Sequence, residues 1–143
     1  MTPTVVASEL EFTMVLTAER RIAVPGRLVY RTDDPYAVRV TFHTGSPHPV
    51  HWTFARDLLV EGVSEPCGHG DVRIWPTTVD ALPVVLFALS SPEGDALLET
   101  ATAPLVAWLE RTLAAVPPGT EDCRHNLDAV LTGVLTRATG DTP

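Results

Sequence analysis

The chain has 143 residues, 45% hydrophobic and 20% charged. That is the size and balance of one globular domain that buries its own core without staples. Net charge is −8 and all ten basic residues are arginines, which excludes a Walker phosphate loop, a Schiff-base lysine and a lysine general base. An acidic chain also repels duplex phosphate unless its arginines cluster.

From the N-terminus, Leu10, Phe12, Met14 and Leu16 share one face at the two-residue period of a strand over 10–16. The segment 23–31 carries Leu28 and Tyr30 on one side, and its Pro25-Gly26 pair predicts a bulge or bend. Asp33-Asp34-Pro35 predicts a turn, because aspartates bond local backbone and proline fixes φ. Val38, Val40 and Phe42 alternate, 43–49 reads as a loop, and Val50, Trp52 and Phe54 resume the alternation. The first half is therefore an antiparallel meander.

A short helix over 54–61 follows, with Thr53 as N-cap and Gly62 as stop. After a Pro/Gly-rich turn over 65–70, alternation over 72–75 ends at Pro76. The run 84–89 is apolar on both faces and predicts a central strand. Ser91-Pro92-Glu93 matches a helix start, with a capping serine, a proline at the first position and an acid at the positive end. Leu105, Trp108, Leu109, Leu113 and Val116 form an amphipathic stripe from Pro104 onward, broken by Pro117-Pro118-Gly119. A final helix is expected from Asn126, with Leu127, Val130, Leu131, Val134 and Leu135 on one face, then a frayed tail. The order gives an α+β fold: one domain over 1–143 with its ordered core about 5–135, built on a largely antiparallel sheet or barrel with helices.

Each candidate for chemistry has a competing structural reading. Cys67-Gly68-His69 and Cys123-Arg124-His125 offer thiol and imidazole ligands for zinc, but the one-residue spacing departs from Cys-x2–4-Cys. With only two cysteines there is no disulfide framework, and both are expected as reduced thiols. His43, His48 and His51 form a second cluster, in which 43 and 51 would face each other across a hairpin; solvated loop histidines are the simpler reading. Ser90-Ser91-Pro92-Glu93-Gly94 lacks the Gly-x-Ser-x-Gly elbow, and Glu93 with Asp95 reads as a helix-dipole partner. Arg27, Arg31, Arg39 and Arg73, near Tyr30, Tyr36 and Trp75, form a candidate single-strand-stacking face against which the net charge argues. No enzyme activity, cofactor or metal is expected. The first residues lack a basic n-region and the longest apolar run is too short for a bilayer, so a cytoplasmic protein with no transmembrane segment is expected.

Six segments in order carry a more specific signal. They are Asp34-Pro35-Tyr36-Ala37-Val38, Thr41-Phe42-His43-Thr44-Gly45, the stretch 52–62, Gly70-Asp71-Val72-Arg73-Ile74-Trp75-Pro76, the stretch 88–99, and Val116-Pro117-Pro118-Gly119-Thr120-Glu121. Together they resemble the SsgA-like sporulation and cell-division proteins of actinobacteria over about 5–135, and most closely the SsgB branch through Ser-Pro-Glu-Gly and Pro-Pro-Gly-Thr-Glu. The resemblance implies a fold similar to the Whirly-type single-stranded nucleic-acid-binding proteins, and a homotrimer. It implies a non-enzymatic regulator that helps position the FtsZ division machinery at sporulation septa. The partners would be FtsZ, another SsgA-like protein, or both, with recruitment from the cytoplasm to the septum. A single-stranded nucleic-acid-binding module of the same fold is the alternative. The expected contact surfaces are the short helix, through Arg56, Asp57 and Glu61, and the turn Pro117, Pro118, Gly119 and Thr120, because element ends and loops often carry function.

Overall fold

The structure is a computed structural model that describes residues 3–45, 47–68, 70–92 and 94–121. In chain order the elements are β1 (Val5–Val15), β2 (Arg21–Arg31), β3 (Ala37–Phe42), β4 (Val50–Ala55), α1 (Arg56–Gly62), β5 (Val72–Val79), β6 (Leu82–Ser91), β7 (Gly94–Ala101) and α2 (Thr102–Ala115). The strands form one seven-stranded sheet in the order β4-β3-β2-β1-β7-β6-β5, and every pairing is antiparallel.

Even-numbered residues of the first four strands face the core: Val6, Phe12, Val24, Leu28, Tyr30, Val38, Val40, Phe42 and Phe54 are all buried. Phe12 meets Phe42 edge-on at 5.0 Å and Phe87 at 5.9 Å. The rings of Phe54 on β4 and Phe87 on β6 stand 6.3 Å apart. Those strands are five positions apart in the sheet order, which in a flat sheet would separate them by about 24 Å. The sheet therefore curls into a half-barrel, the form in which one core serves all its strands.

β1 pairs with β7 only from Phe12 to Met14, and α2 packs where the two part. There Trp108 Nε1 donates to the Val6 carbonyl at 3.0 Å, Arg111 to Ala7 O at 3.3 Å, and Thr100 Oγ1 to Glu11 O at 2.9 Å. Helix α1 leads from edge strand β4 to edge strand β5. A Cβ on Gly62 would lie 2.5 Å from Ile74 Cγ2, so the missing side chain lets the helix sit on β5.

Several local expectations change. Pro25-Gly26 makes no bulge: β2 runs in unbroken register against β1. Pro25 sits opposite His43, just beyond the end of β3: its carbonyl accepts from the His43 N–H, and its absent N–H costs only the second bond of that terminal pair. Gly26 instead makes room for the Phe12 ring, which an added Cβ would approach to 2.5 Å. Helix α1 starts at Arg56 with Ala55 as N-cap and no side-chain cap, so Thr53 does not cap it, and Gly62 lies inside it with Val63 as C-cap. β5 runs on past Pro76 to Val79, because Pro76 is on an edge strand where no ladder needs its N–H.

The largest correction concerns Ser91-Pro92. This segment begins no helix; it is the turn of a β6–β7 hairpin in which Ser91 opposes Gly94. Ser90 Oγ donates to Asp95 Oδ1 at 2.6 Å and Ser91 Oγ to Gly94 O at 3.2 Å. Gly94 has φ +140°, a conformation open to glycine and closed to most residues. Both serines thus close a turn, and Asp95 belongs to a strand. Glu93 lies outside the described residues, as do His69, the Cys123–His125 unit and the helix expected from Asn126.

Candidate functional site

Residues 50, 52 and 54 of β4 point inward, and the Arg56 N–H extends the ladder by donating to Tyr36 O at 2.7 Å. Arg56 is therefore the next inward residue of the strand as well as the first of α1. Its side chain is 1% exposed. Nη1 donates to Thr112 O at 2.9 Å and Nη2 to Glu121 Oε2 at 2.7 Å. The guanidinium also lies over the Tyr30 ring, 4.9 Å from its centroid, as cations favour aromatic faces. Nε has no hydrogen-bond partner among the described residues.

Glu121 is buried as well, and its other oxygen, Oε1, accepts from Gly119 N at 2.9 Å. The hydrogen bond from Arg56 holds its carboxyl below the usual carboxylate range, against the opposing effect of burial. Gly119 has φ +88°, and Thr120 N and Oγ1 donate to Pro117 O at 3.0 and 2.6 Å. One buried ion pair thus braces the Pro117-Pro118-Gly119-Thr120 turn and ties it to the first turn of α1.

This corrects one expected contact residue. Arg56 does not belong to an exposed contact surface, because strand parity and Glu121 hold it in the core. Asp57 and Glu61 are exposed, and so are Pro117, Pro118, Gly119 and Thr120. Arg56 brings the two expected segments together from inside. Its inward position was readable in the alternation Val50, Trp52, Phe54, Arg56; the role of Glu121, 65 residues further on, had no local signal.

Cys67 Sγ donates to Glu61 Oε1 at 3.3 Å. Desolvation first, then the Glu61 carboxylate, push its thiol upward, which favours the unreactive protonated form. His51 pairs with Thr41, its Nδ1 lying 2.9 Å from Thr41 Oγ1, whereas the His43 N–H donates to Pro25 O. The two histidines do not face each other. Among the described residues no group of three or more His, Cys, Asp or Glu side chains is placed to hold a metal.

The candidate stacking face does not assemble either. Tyr30 is fully buried, its hydroxyl donating to Pro35 O at 2.9 Å. Arg27 pairs with Glu9 at 3.7 Å and Arg31 with Asp33 at 2.9 Å. Arg73 and Trp75 lie on β5, at the opposite end of the strand order from Arg39 and Tyr36. Among the described residues no helix is long and apolar enough to cross a membrane.

Comparison with known proteins adds the kinship. Residues 24–121 match the family model described as Streptomyces sporulation and cell division protein, SsgA. The chain is 52% identical to the sporulation-specific cell division protein SsgB of Streptomyces coelicolor over 132 residues, covering 92% of this chain and 96% of that one. It is 40% identical to SsgB of Thermobifida fusca over 126 residues, covering 88% and 91%. Among solved structures, an SsgB structure described with mutations that correlate to longitudinal cell division during sporulation of Streptomyces coelicolor superposes with TM-score 0.83 at 52% identity, covering 85% of this chain and 96% of that one. The SsgA-like sporulation-specific cell division protein of Thermobifida fusca gives TM-score 0.84 at 39% identity, covering 92% and 96%. The α+β fold, a curled antiparallel sheet with two helices among the described residues, is thus shared with SsgB, and the chain belongs to the SsgA family of sporulation and cell division proteins.

Proposed function

We propose that this chain is a non-catalytic cell-division factor of the SsgB type, which helps position the FtsZ machinery at sporulation septa through protein contacts. The observation that carries this reading is the 52% identity to a sporulation-specific cell division protein over nearly the whole of both chains. The contact surface in this reading is the exposed part of α1, with Asp57 and Glu61, together with the turn Pro117, Pro118, Gly119 and Thr120. Arg56 supports both from beneath. The proposal includes a homotrimer, which would present each surface three times to a filament and gain affinity by avidity. It also includes recruitment from the cytoplasm to the septum, a single domain with its core over about 5–135, and kinship of the fold to the Whirly type.

The test is co-sedimentation with FtsZ filaments, alone and with a second SsgA-like protein present. The chain is expected in the pellet in at least one case, and Asp57→Arg with Glu61→Arg should reduce the pelleted fraction. Recovery in the supernatant under both conditions would overturn the reading. The nucleic-acid alternative gains no support from a face whose Tyr30 is buried.

A further inference from the structure

The two edges of the sheet are finished differently. Ladder parity follows from the bonds at the strand ends: Thr32 N donates to Thr4 O, His43 N to Pro25 O, and Arg56 N to Tyr36 O. Propagated through the registers, even-numbered residues of β4 spend their N–H and C=O groups on β3. His51 and Thr53 therefore point theirs away from the sheet, and these groups meet no partner among the described residues.

At the other edge, Ser90 N donates to Asp71 O, which turns the backbone N–H and C=O groups of the even-numbered residues of β5 away from β6. There Ile74 exchanges both bonds with Cys67, at 2.8 and 2.9 Å. Pro76, the next outward residue, has no N–H to offer. Both are recognised devices for blunting an edge. β4, with sequence VHWTFA, carries no proline, arginine or carboxylate.

The two faces beside β4 state what an added strand must look like. On the inner face lies an apolar groove whose lining includes Met14, Phe42, Val50, Trp52, Leu89 and Leu98, and Val50 is 42% exposed. On the outer face, Thr53 borders a depression shared with Arg31, Asp34 and Arg39. Arg31 is engaged by Asp33, whereas Arg39 makes no ion pair among the described residues. Arg39 stands directly opposite Thr53 in the β3–β4 register, within reach of a side chain on the next strand.

We propose that the β4 edge accepts an extended segment of a partner protein as an eighth strand, its apolar residues entering the groove and its alternate acidic residues lying beside Arg39 and His51. Backbone bonds to His51 and Thr53 supply affinity, and the two faces supply selectivity. This surface is separate from α1 and the 117–120 turn, and the inference does not depend on the FtsZ reading.

The probe is a fluorescein-labelled nine-residue peptide alternating valine with glutamate, titrated into the full chain and followed by anisotropy and amide hydrogen exchange. Binding is expected, with exchange at the His51 and Thr53 amides slowed by about tenfold or more. The same peptide N-methylated at its edge-facing amides leaves the protein untouched and should lose binding. Replacing glutamate by lysine should weaken binding about tenfold, and Arg39→Glu should reverse that preference. Thr53→Pro removes only an outward N–H and should abolish binding while the thermal transition is retained. Equal binding of the N-methylated peptide, or protection confined to other strands, would overturn the proposal. So would protection of these two amides that grows with protein concentration in the absence of peptide, which would assign the edge to a second copy of the chain.

Discussion

Removing the Glu121 carboxylate tests whether the buried ion pair organises the end of the described fold. In Glu121→Ala the Arg56 guanidinium stays in place, with its side chain 1% exposed. It keeps the Thr112 carbonyl and the Tyr30 face but loses its only ion-pair partner among the described residues. Breaking one side of a buried pair costs about 3–5 kcal/mol, chiefly for the charge left behind. The surviving carbonyl and ring place this case at about 3 kcal/mol. For a chain of this length that lowers the melting temperature by roughly 10 °C. Replacing both partners, as Arg56→Met with Glu121→Leu, should cost less than Glu121→Ala alone, because no unpaired charge is left.

The pair also has a pH signature. Glu121 titrates below its ordinary value of 4.5 in the fold, so its contribution is complete above that value and is lost as pH falls through the depressed one. Between about pH 5 and pH 3 the native chain should lose stability more steeply than Glu121→Gln. Asp33, lowered by Arg31, leaves part of the slope in place. Urea melts followed by circular dichroism supply both readings. A cost below about 1 kcal/mol for Glu121→Ala, together with an unchanged acid slope in Glu121→Gln, would refute this account of the site.

Other substitutions probe single contacts. Gly62→Ala puts a methyl 2.5 Å from Ile74 Cγ2; a loss of about 1–3 kcal/mol is expected, and an unchanged denaturation midpoint would mean that α1 does not press on β5. Tyr30→Phe removes a buried bond to Pro35 O at 2.9 Å and should cost about 1–2 kcal/mol by the same melts. Asp80 and Ala81 turn the β5–β6 hairpin with φ of 52° and 66°, so Ala81→Gly should relieve strain and raise stability by about 0.5–1 kcal/mol. A lower melting temperature in that variant would contradict the left-handed turn.

Local alternation was a sound guide wherever both faces of a strand differed. Val38, Val40 and Phe42, then Val50, Trp52 and Phe54, lie on β3 and β4 with their apolar side inward, and the stripe through Leu105, Trp108 and Leu109 is the buried face of α2. Ser91-Pro92 misled because serine followed by proline suits a helix start and a tight turn equally. The alternation of Ala96, Leu98 and Thr100 was the evidence for a strand. Arg56 misled for another reason. A charge on a short helix is normally solvated, and only a carboxylate far along the chain makes its burial tolerable. Whether the strands form an open sheet or a barrel stayed undecided in the sequence, since the curl depends on Phe54 meeting Phe87 across the core rather than on either strand alone.

A sheet with two unguarded edges is a template for polymerisation, each copy offering one edge and receiving another. Here Cys67 and Pro76 finish one margin, and among the described residues nothing pairs with the other. Sheet growth from such a molecule is a chain-terminating step: one strand can be added, and the product has nowhere to add the next unless the newcomer brings its own free edge. A protein finished in this way is univalent through its backbone. Any higher valency it shows towards a filament must come from side-chain surfaces or from assembly of several copies, and the two kinds of contact can therefore be titrated separately.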